Sequence, residues 1–159
     1  MKRPEIQINK NTHAFCSEDR YVSFFCPKSG LISAIDIQTR RILFNGYVAV
    51  TDEFEPIGII NHDAKGDNVS AVADATCVVA DSNNLVVCSS EYIIRVLLIP
   101  EEKVYLPCLV ATEIQCMSAA ICNTLLWVAT PTELFHVRLT DPRLILHEFQ
   151  TPFYKPTDY

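Results

Sequence analysis

Seven cysteines and four histidines are the residues best equipped for chemistry in this chain of 159 residues. Thiolates and imidazoles bind zinc when closely spaced pairs converge on a tetrahedron. Here Cys116 and Cys122 stand six apart, and no CxxC, HxxxH or HExxH spacing occurs. The expectation is therefore no metal site and no cofactor. A Cys–His nucleophile pair meets in space and not in sequence, so a cysteine-dependent hydrolase stays open as an alternative reading. A carboxylate-dependent one also stays open, because Asp52, Glu53, Glu55, Asp63 and Asp67 crowd around His62. That cluster lacks the D-x-[DN]-x-[DN]-G register of a calcium loop, which Asp63, Gly66 and Asp67 only echo. It reads instead as a solvated acidic loop, with Asp52, Glu53, Phe54 and Glu55 as candidate contacts for a basic partner. A second candidate contact segment is the tail Gln150 to Tyr159, whose Phe153, Tyr154 and Tyr159 lie among two prolines that forbid a regular helix. Such an extended segment can dock in a groove or add a strand to another sheet. No GxxxxGK[ST], GxGxxG or GxSxG is present, so phosphate cradles and the nucleophile elbow have no support. The chain is expected not to be an enzyme.

Composition narrows the surroundings. The cysteines are odd in number and mostly sit beside Val, Phe and Leu, whereas a disulfide framework uses even numbers placed in loops. Nothing near Met1 has the charged, apolar and small-residue regions of a secretory signal. The thiols are expected to be reduced, buried and inert in a cytoplasmic protein. A net charge of −6 argues against nucleic acid or anionic lipid as the partner, since both are held by Lys and Arg. A hydrophobic fraction of 49% gives a core-forming chain. Its apolar runs, such as Tyr92 to Pro100 with Arg95 inside, are too short for a membrane span.

The elements that must position these residues are repeats. Leu85 to Leu106 aligns with Leu125 to Leu146 at an offset of 40 to 41 residues, placing Val87 against Trp127, Val96 against Val137 and Leu98 against Leu139. Val22 to Phe44 is a third copy, with Phe25 against Trp127, Ile35 against Val137 and Ile37 against Leu139. Alternation along Leu31 to Ile37 is that of a strand with one buried face, and Pro27-Lys28-Ser29-Gly30 marks a hairpin turn. Val69 to Ala80 and Ile114 to Cys122 precede the second and third copies and are expected to be their innermost strands. Trp127 is expected in the core, Arg95 and His136 on a less buried face. Lys28 with Arg40 and Arg41 reads as a small basic cluster. The expected fold is all-β, a single domain over residues 1–159 with units at about 13–46, 69–108 and 113–150, an acidic insertion at 47–68 and the tail at 150–159.

Repeats of about 40 residues with several strands belong to propeller-type arrays. Cys122-Asn123, Leu126-Trp127-Val128, Thr130 and the run to Leu139 resemble a degenerate WD40-like blade. Gly30-Leu31 leading to Asp36-Ile37-Gln38-Thr39-Arg40-Arg41 resembles the same unit at its third-to-fourth strand turn. The resemblance covers about three quarters of the chain, without the Gly-His pair or terminal Trp-Asp of the standard blade. It implies three to four antiparallel units in a partial or small propeller, of the kind found in large cytoplasmic scaffold proteins. Propellers close with about four to eight blades, so other chains or chain segments are expected to complete the ring. A β-trefoil or other closed barrel is the alternative architecture, and with it a ligand- or receptor-binding protein. The leading expectation is a non-enzymatic protein–protein interaction module, a scaffold or adaptor that presents loops on a β-repeat core.

Overall fold

The computed structural model describes residues 6, 8–63, 70–99, 101–141 and 143–148. Among these the chain is all-β, with 13 strands in three antiparallel sheets. Sheet I runs in chain order through β1 (His13–Ser17), β2 (Tyr21–Phe25), β3 (Ile32–Asp36), β4 (Arg41–Val50) and β5 (Pro56–Asn61). Sheet II holds β6 (Cys77–Ala80), β7 (Asn84–Cys88), β8 (Tyr92–Ile99) and β9 (Val104–Thr112). Sheet III holds β10 (Ser118–Cys122), β11 (Leu125–Ala129), β12 (Leu134–Arg138) and β13 (His147–Glu148). Each is a simple meander of antiparallel neighbours, and several of its turns, such as 81–83, 89–91 and 123–124, are built from Asn, Asp, Ser or Thr. Asn123 and Thr124 both have positive φ, which fits the two-residue hairpin between β10 and β11 to the right-handed twist of its strands. The next turn is stabilised alike in two sheets. Ser89 Oγ accepts from Glu91 N and Tyr92 N, and Thr130 Oγ1 from Thr132 N and Glu133 N.

One backbone hydrogen bond recurs in all three sheets and fixes their equivalence. Ile37 N donates to Arg20 O, Leu98 N to Asn83 O and Leu139 N to Thr124 O, at 2.8–2.9 Å. The expected alignment of Ile37, Leu98 and Leu139 therefore holds. That of Trp127 does not. Trp127 pairs with His136 as Val86 pairs with Arg95 and Ser23 with Ala34, so its counterparts are Val86 and Ser23, not Val87 and Phe25. The error is a shift of one residue in sheet II, which moves a side chain to the opposite face. Trp127 is half-buried and lies outside the apolar cores.

The sheets stack face to face. One core lies between sheets I and II, built around Phe25, Ile32, Phe44, Leu85, Ile94 and Leu98. A second lies between sheets II and III, around Val86, Cys88, Ile93, Leu126, Val128 and Val137. Sheet II is thus covered on both sides, and its strands are apolar nearly throughout instead of alternating. The first strands of the three sheets, β1, β6 and β10, approach one another, and Phe15 of β1 packs against both cores. This is the radial arrangement of part of a propeller. None of the sheets closes into a barrel, so the trefoil alternative falls. The acidic insertion contributes strand as well as loop. Residues 47–50 finish β4 and 56–61 form β5, with the tip Thr51 to Glu55 between them as a loop. β-Branched and apolar residues on both sides of the acidic tip let it pair as a hairpin.

Candidate functional site

In a meander, alternate turns lie at the same end of the sheet. The β4–β5 tip of sheet I and the β7–β8 turn of sheet II share one end, and the C-terminus of β9 reaches that end as well. Together they border a cleft of about 790 Å³ that gathers Glu53 and Glu55 from the tip, Glu91 from the turn and Glu113 from the residue after β9. Phe54, Leu109 and Gln115 add to its walls.

The tip is held rigidly. Thr51 N donates to Glu55 O at 2.9 Å, Phe54 N donates to Thr51 O at 3.0 Å, and Thr51 Oγ1 accepts from Glu53 N and Glu55 N. Phe54 takes φ +64°, which turns its ring inward to stack on Tyr92 at 4.6 Å and 26°. Tyr92 is fully buried and donates its hydroxyl to Asp74 Oδ1 at 2.8 Å. Burial first, and Asp74 second, push its phenol far above the ordinary range. On the other wall Glu113 N donates to Glu91 O at 2.8 Å, with Glu113 at φ +58°. Backbone geometry thus orders a row of acidic side chains. Among the described residues none of the four glutamate side chains accepts a hydrogen bond or joins an ion pair within the chain.

A second cleft, of about 730 Å³, opens at the opposite end of the stack and is lined by Glu18, Asp81, Asn83, Arg95, Asn123 and Asp141 among others. Its polar groups are largely engaged with one another. Arg95 donates from Nε to Asn84 Oδ1 at 2.8 Å and from Nη2 to Leu139 O at 2.9 Å. Asp81 Oδ1 accepts from Asn83 N, Asn84 N and Asn84 Nδ2. Glu18 Oε1 accepts from Asn123 N at 2.9 Å, tying sheet I to sheet III. Arg95 to Leu139 and Glu18 to Asn123 join different sheets, whereas the acidic cleft leaves its charges unmatched among the described residues.

The expected residues are distributed unevenly over this picture. Glu53 and Glu55 line the acidic cleft, and Asp52 is exposed at the same tip. Phe54 is committed largely to Tyr92. Phe153, Tyr154 and Tyr159 lie outside the described residues. Glu91 and Glu113 were missed because they sit alone in sequence; only the parity of turns in a known register puts them beside Glu53. Lys28 does not cluster with Arg40 and Arg41, since the β2–β3 and β3–β4 turns are at opposite ends of β3. Arg41 instead approaches Glu101 at 3.8 Å.

The thiols also divide. Cys26, Cys77, Cys88 and Cys116 are buried, while Cys16, Cys108 and Cys122 are exposed, against the expectation of seven buried hydrophobes. Cys16 and Cys122 face away from sheet II on sheets I and III, and Cys108 lies on β9, the edge strand of sheet II. In the second core Cys77 donates to Ala119 O and Cys116 to Ser118 O. Burial pushes the Cys77 thiol up to about 11. A hydrogen bond with Cys116, and full burial, push Cys88 well above its usual range. Such thiols are poor nucleophiles. Among the described residues no group of three or more His, Cys, Asp or Glu could hold a metal ion, and no helix is long and apolar enough to cross a membrane. No protein-family model matches the chain, and no curated protein matches it.

Proposed function

We propose that this protein is a non-enzymatic, cytoplasmic interaction module, built of degenerate WD40-like blades, that accepts a basic segment of a partner protein in the acidic cleft. The carrying observation is the convergence of Glu53, Glu55, Glu91 and Glu113 from two sheets on one cleft without a paired cation among the described residues. Like charges held together repel, and a Lys- or Arg-bearing segment removes that repulsion while gaining charge-assisted hydrogen bonds. Phe54 and Leu109 offer apolar wall for the aliphatic stems of such side chains. The buried, carbonyl-bonded thiols support the non-catalytic part of the reading, and a reducing compartment suits four unpaired buried cysteines.

A synthetic peptide of alternating Lys and Arg serves as the probe in calorimetry at low and high salt. Glu53→Gln with Glu113→Gln should weaken binding about tenfold or more, the cost of two charge-assisted contacts. Glu102→Gln with Glu148→Gln makes the same change in net charge away from the cleft and should change affinity little. Equal losses in the two double variants would reduce the effect to overall charge and sink the proposal.

A further inference from the structure

Three thiols meet in the core between sheets II and III, each carried by a different segment. Cys77 begins β6, Cys88 ends β7 and pairs with Cys77 across the ladder, and Cys116 stands in the link from β9 to β10. All three are buried. Burial alone needs no special account, since cysteine packs as a small hydrophobe. Two of these thiols, however, are directed at each other.

Cys88 donates its S–H to the sulfur of Cys116. The backbone around the pair is pinned at the same spot. The Thr76 hydroxyl is shared between the carbonyl oxygens of Cys88 and Cys116, 3.2 Å from each, and Cys116 N donates to Ser89 O at 3.2 Å. One hydroxyl therefore spans both carbonyls, and the residue next to Cys88 is bonded to Cys116. That holds the two cysteines as close neighbours, the placement a disulfide requires. Cys77 is set differently, because its thiol is directed to Ala119 O of sheet III at 3.5 Å.

The two partners also differ in access. Cys88 lies within β7 and is fully buried. Cys116 belongs to no strand, and its neighbour Met117 is 63% exposed, so local opening of this short link uncovers the Cys116 sulfur without separating the sheets. The hydrogen bond from Cys88 foremost lowers the Cys116 thiol below its usual value, against the opposing effect of burial. Cys116 is thus suited to attack and Cys88 to follow.

We propose that Cys88 and Cys116 are a redox-modified pair that closes into a reversible disulfide on exposure to a low-molecular-weight disulfide. The Cys116 thiolate attacks one sulfur of the small disulfide, breaking its S–S bond, forming a mixed disulfide and releasing one small thiolate. Cys88 then attacks the Cys116 sulfur, forming the protein S–S bond and expelling the second small thiolate. The two thiol protons end on the two released thiolates, so two protein thiols are oxidised and one small disulfide is reduced to two thiols. An excess of small thiols runs the same steps backwards and keeps the pair open. Closure ties the end of β7 to the β9–β10 link, beneath the walls that carry Glu91 and Gln115. The bond forms or fails whatever the acidic cleft binds.

The test uses the full chain with Cys16→Ser, Cys108→Ser and Cys122→Ser, which removes the exposed thiols able to couple between molecules. Treated under native conditions with bis(2-hydroxyethyl) disulfide, this protein should lose two thiols and stay monomeric, with far-UV circular dichroism unchanged. Peptide mapping by mass spectrometry should find Cys88 joined to Cys116, and dithiothreitol should restore both thiols. Cys88→Ala added to this background should stop at the mixed disulfide on Cys116, and Cys116→Ala should slow thiol loss more than tenfold. The mapping keeps both cysteines in place, so it decides the matter even where a core substitution fails to fold. Survival of all the buried thiols, a bond that uses Cys26 or Cys77, or one that forms only once the fold is lost overturns the inference. Folded Cys116→Ala protein that reacts as fast as its parent overturns the assignment of Cys116 as the attacking sulfur.

Discussion

At the scale of single residues, the best-satisfied charged group is Asp36 at the end of β3. It accepts Arg20 Nε at 3.0 Å and Arg20 Nη2 at 2.7 Å, together with the backbone N–H groups of Gln38 and Thr39. Arg20 foremost, then the turn donors, hold its carboxyl well below the ordinary carboxylate range despite burial. A carboxyl depressed in the folded state stabilises the fold fully above its unfolded value, about pH 4, and progressively less as pH falls below it. Asp36→Ala is expected to cost about 1–3 kcal/mol at neutral pH, because it removes the charged acceptor of the bonds from Arg20 and from the turn N–H groups. Urea unfolding should show that gap narrowing between pH 7 and pH 3; a gap that stays constant would mean that the ionised carboxylate is not what the variant removes. The sequence displayed Asp36 only as part of a turn, since its partner Arg20 lies across β2 and comes into reach through the Tyr21–Asp36 register.

At the scale of elements, glycine placement separates turn constraint from mere looseness. Gly30 has φ +82°, and a Cβ there would overlap the carbonyl oxygen of Val72, which crosses beneath the β2–β3 turn. That crossing segment, bonded to β4 through Val72 N and Val48 O at 3.0 Å, is what leads the chain from sheet I to sheet II. Gly30→Ala should lower stability by about 1–3 kcal/mol through backbone strain and displacement of this segment. Gly58 in β5 has open space around the same point. Gly58→Ala is expected to leave stability unchanged or raise it by up to about 1 kcal/mol, and thermal unfolding of the two variants side by side checks the contrast. The turn at Pro27 to Gly30 was legible from composition alone. The pairing of the fifth strand with β4 was not, because the acidic residues of 52–55 made their hairpin look like an inserted loop.

At the scale of the molecule, stability should be graded from the middle outward. Sheet II has both faces covered, and Leu85, Val86, Val87 and Cys88 are all completely buried. Among the described residues, sheets I and III each pack against another sheet on one face. Amide hydrogen exchange should therefore be slowest in β7 and β8 and faster in the equivalent β2 and β11, since local opening of an outer sheet breaks one core and opening of the middle sheet breaks two. Equal protection across the three sheets would instead indicate a single cooperative unit. The same stacking locates the proposed contact, since the acidic cleft needs sheets I and II together.

Much of this was written in the sequence. Alternating apolar residues fixed the strands, Asn, Ser, Thr and Pro fixed the turns, and the recurrence of Ile37, Leu98 and Leu139 fixed the repeat, because each is a local consequence of side-chain chemistry on a period of two. What folding alone decided was facing and proximity. A shift of one residue, invisible in a list of apolar positions, transferred Trp127 from the core between sheets II and III to the face of sheet III turned away from sheet II. Glu91 and Glu113 joined Glu53 and Glu55 only because meander turns alternate ends and neighbouring sheets stack. Sequence sets which residues can be buried; which of them are covered depends on the sheet that arrives next.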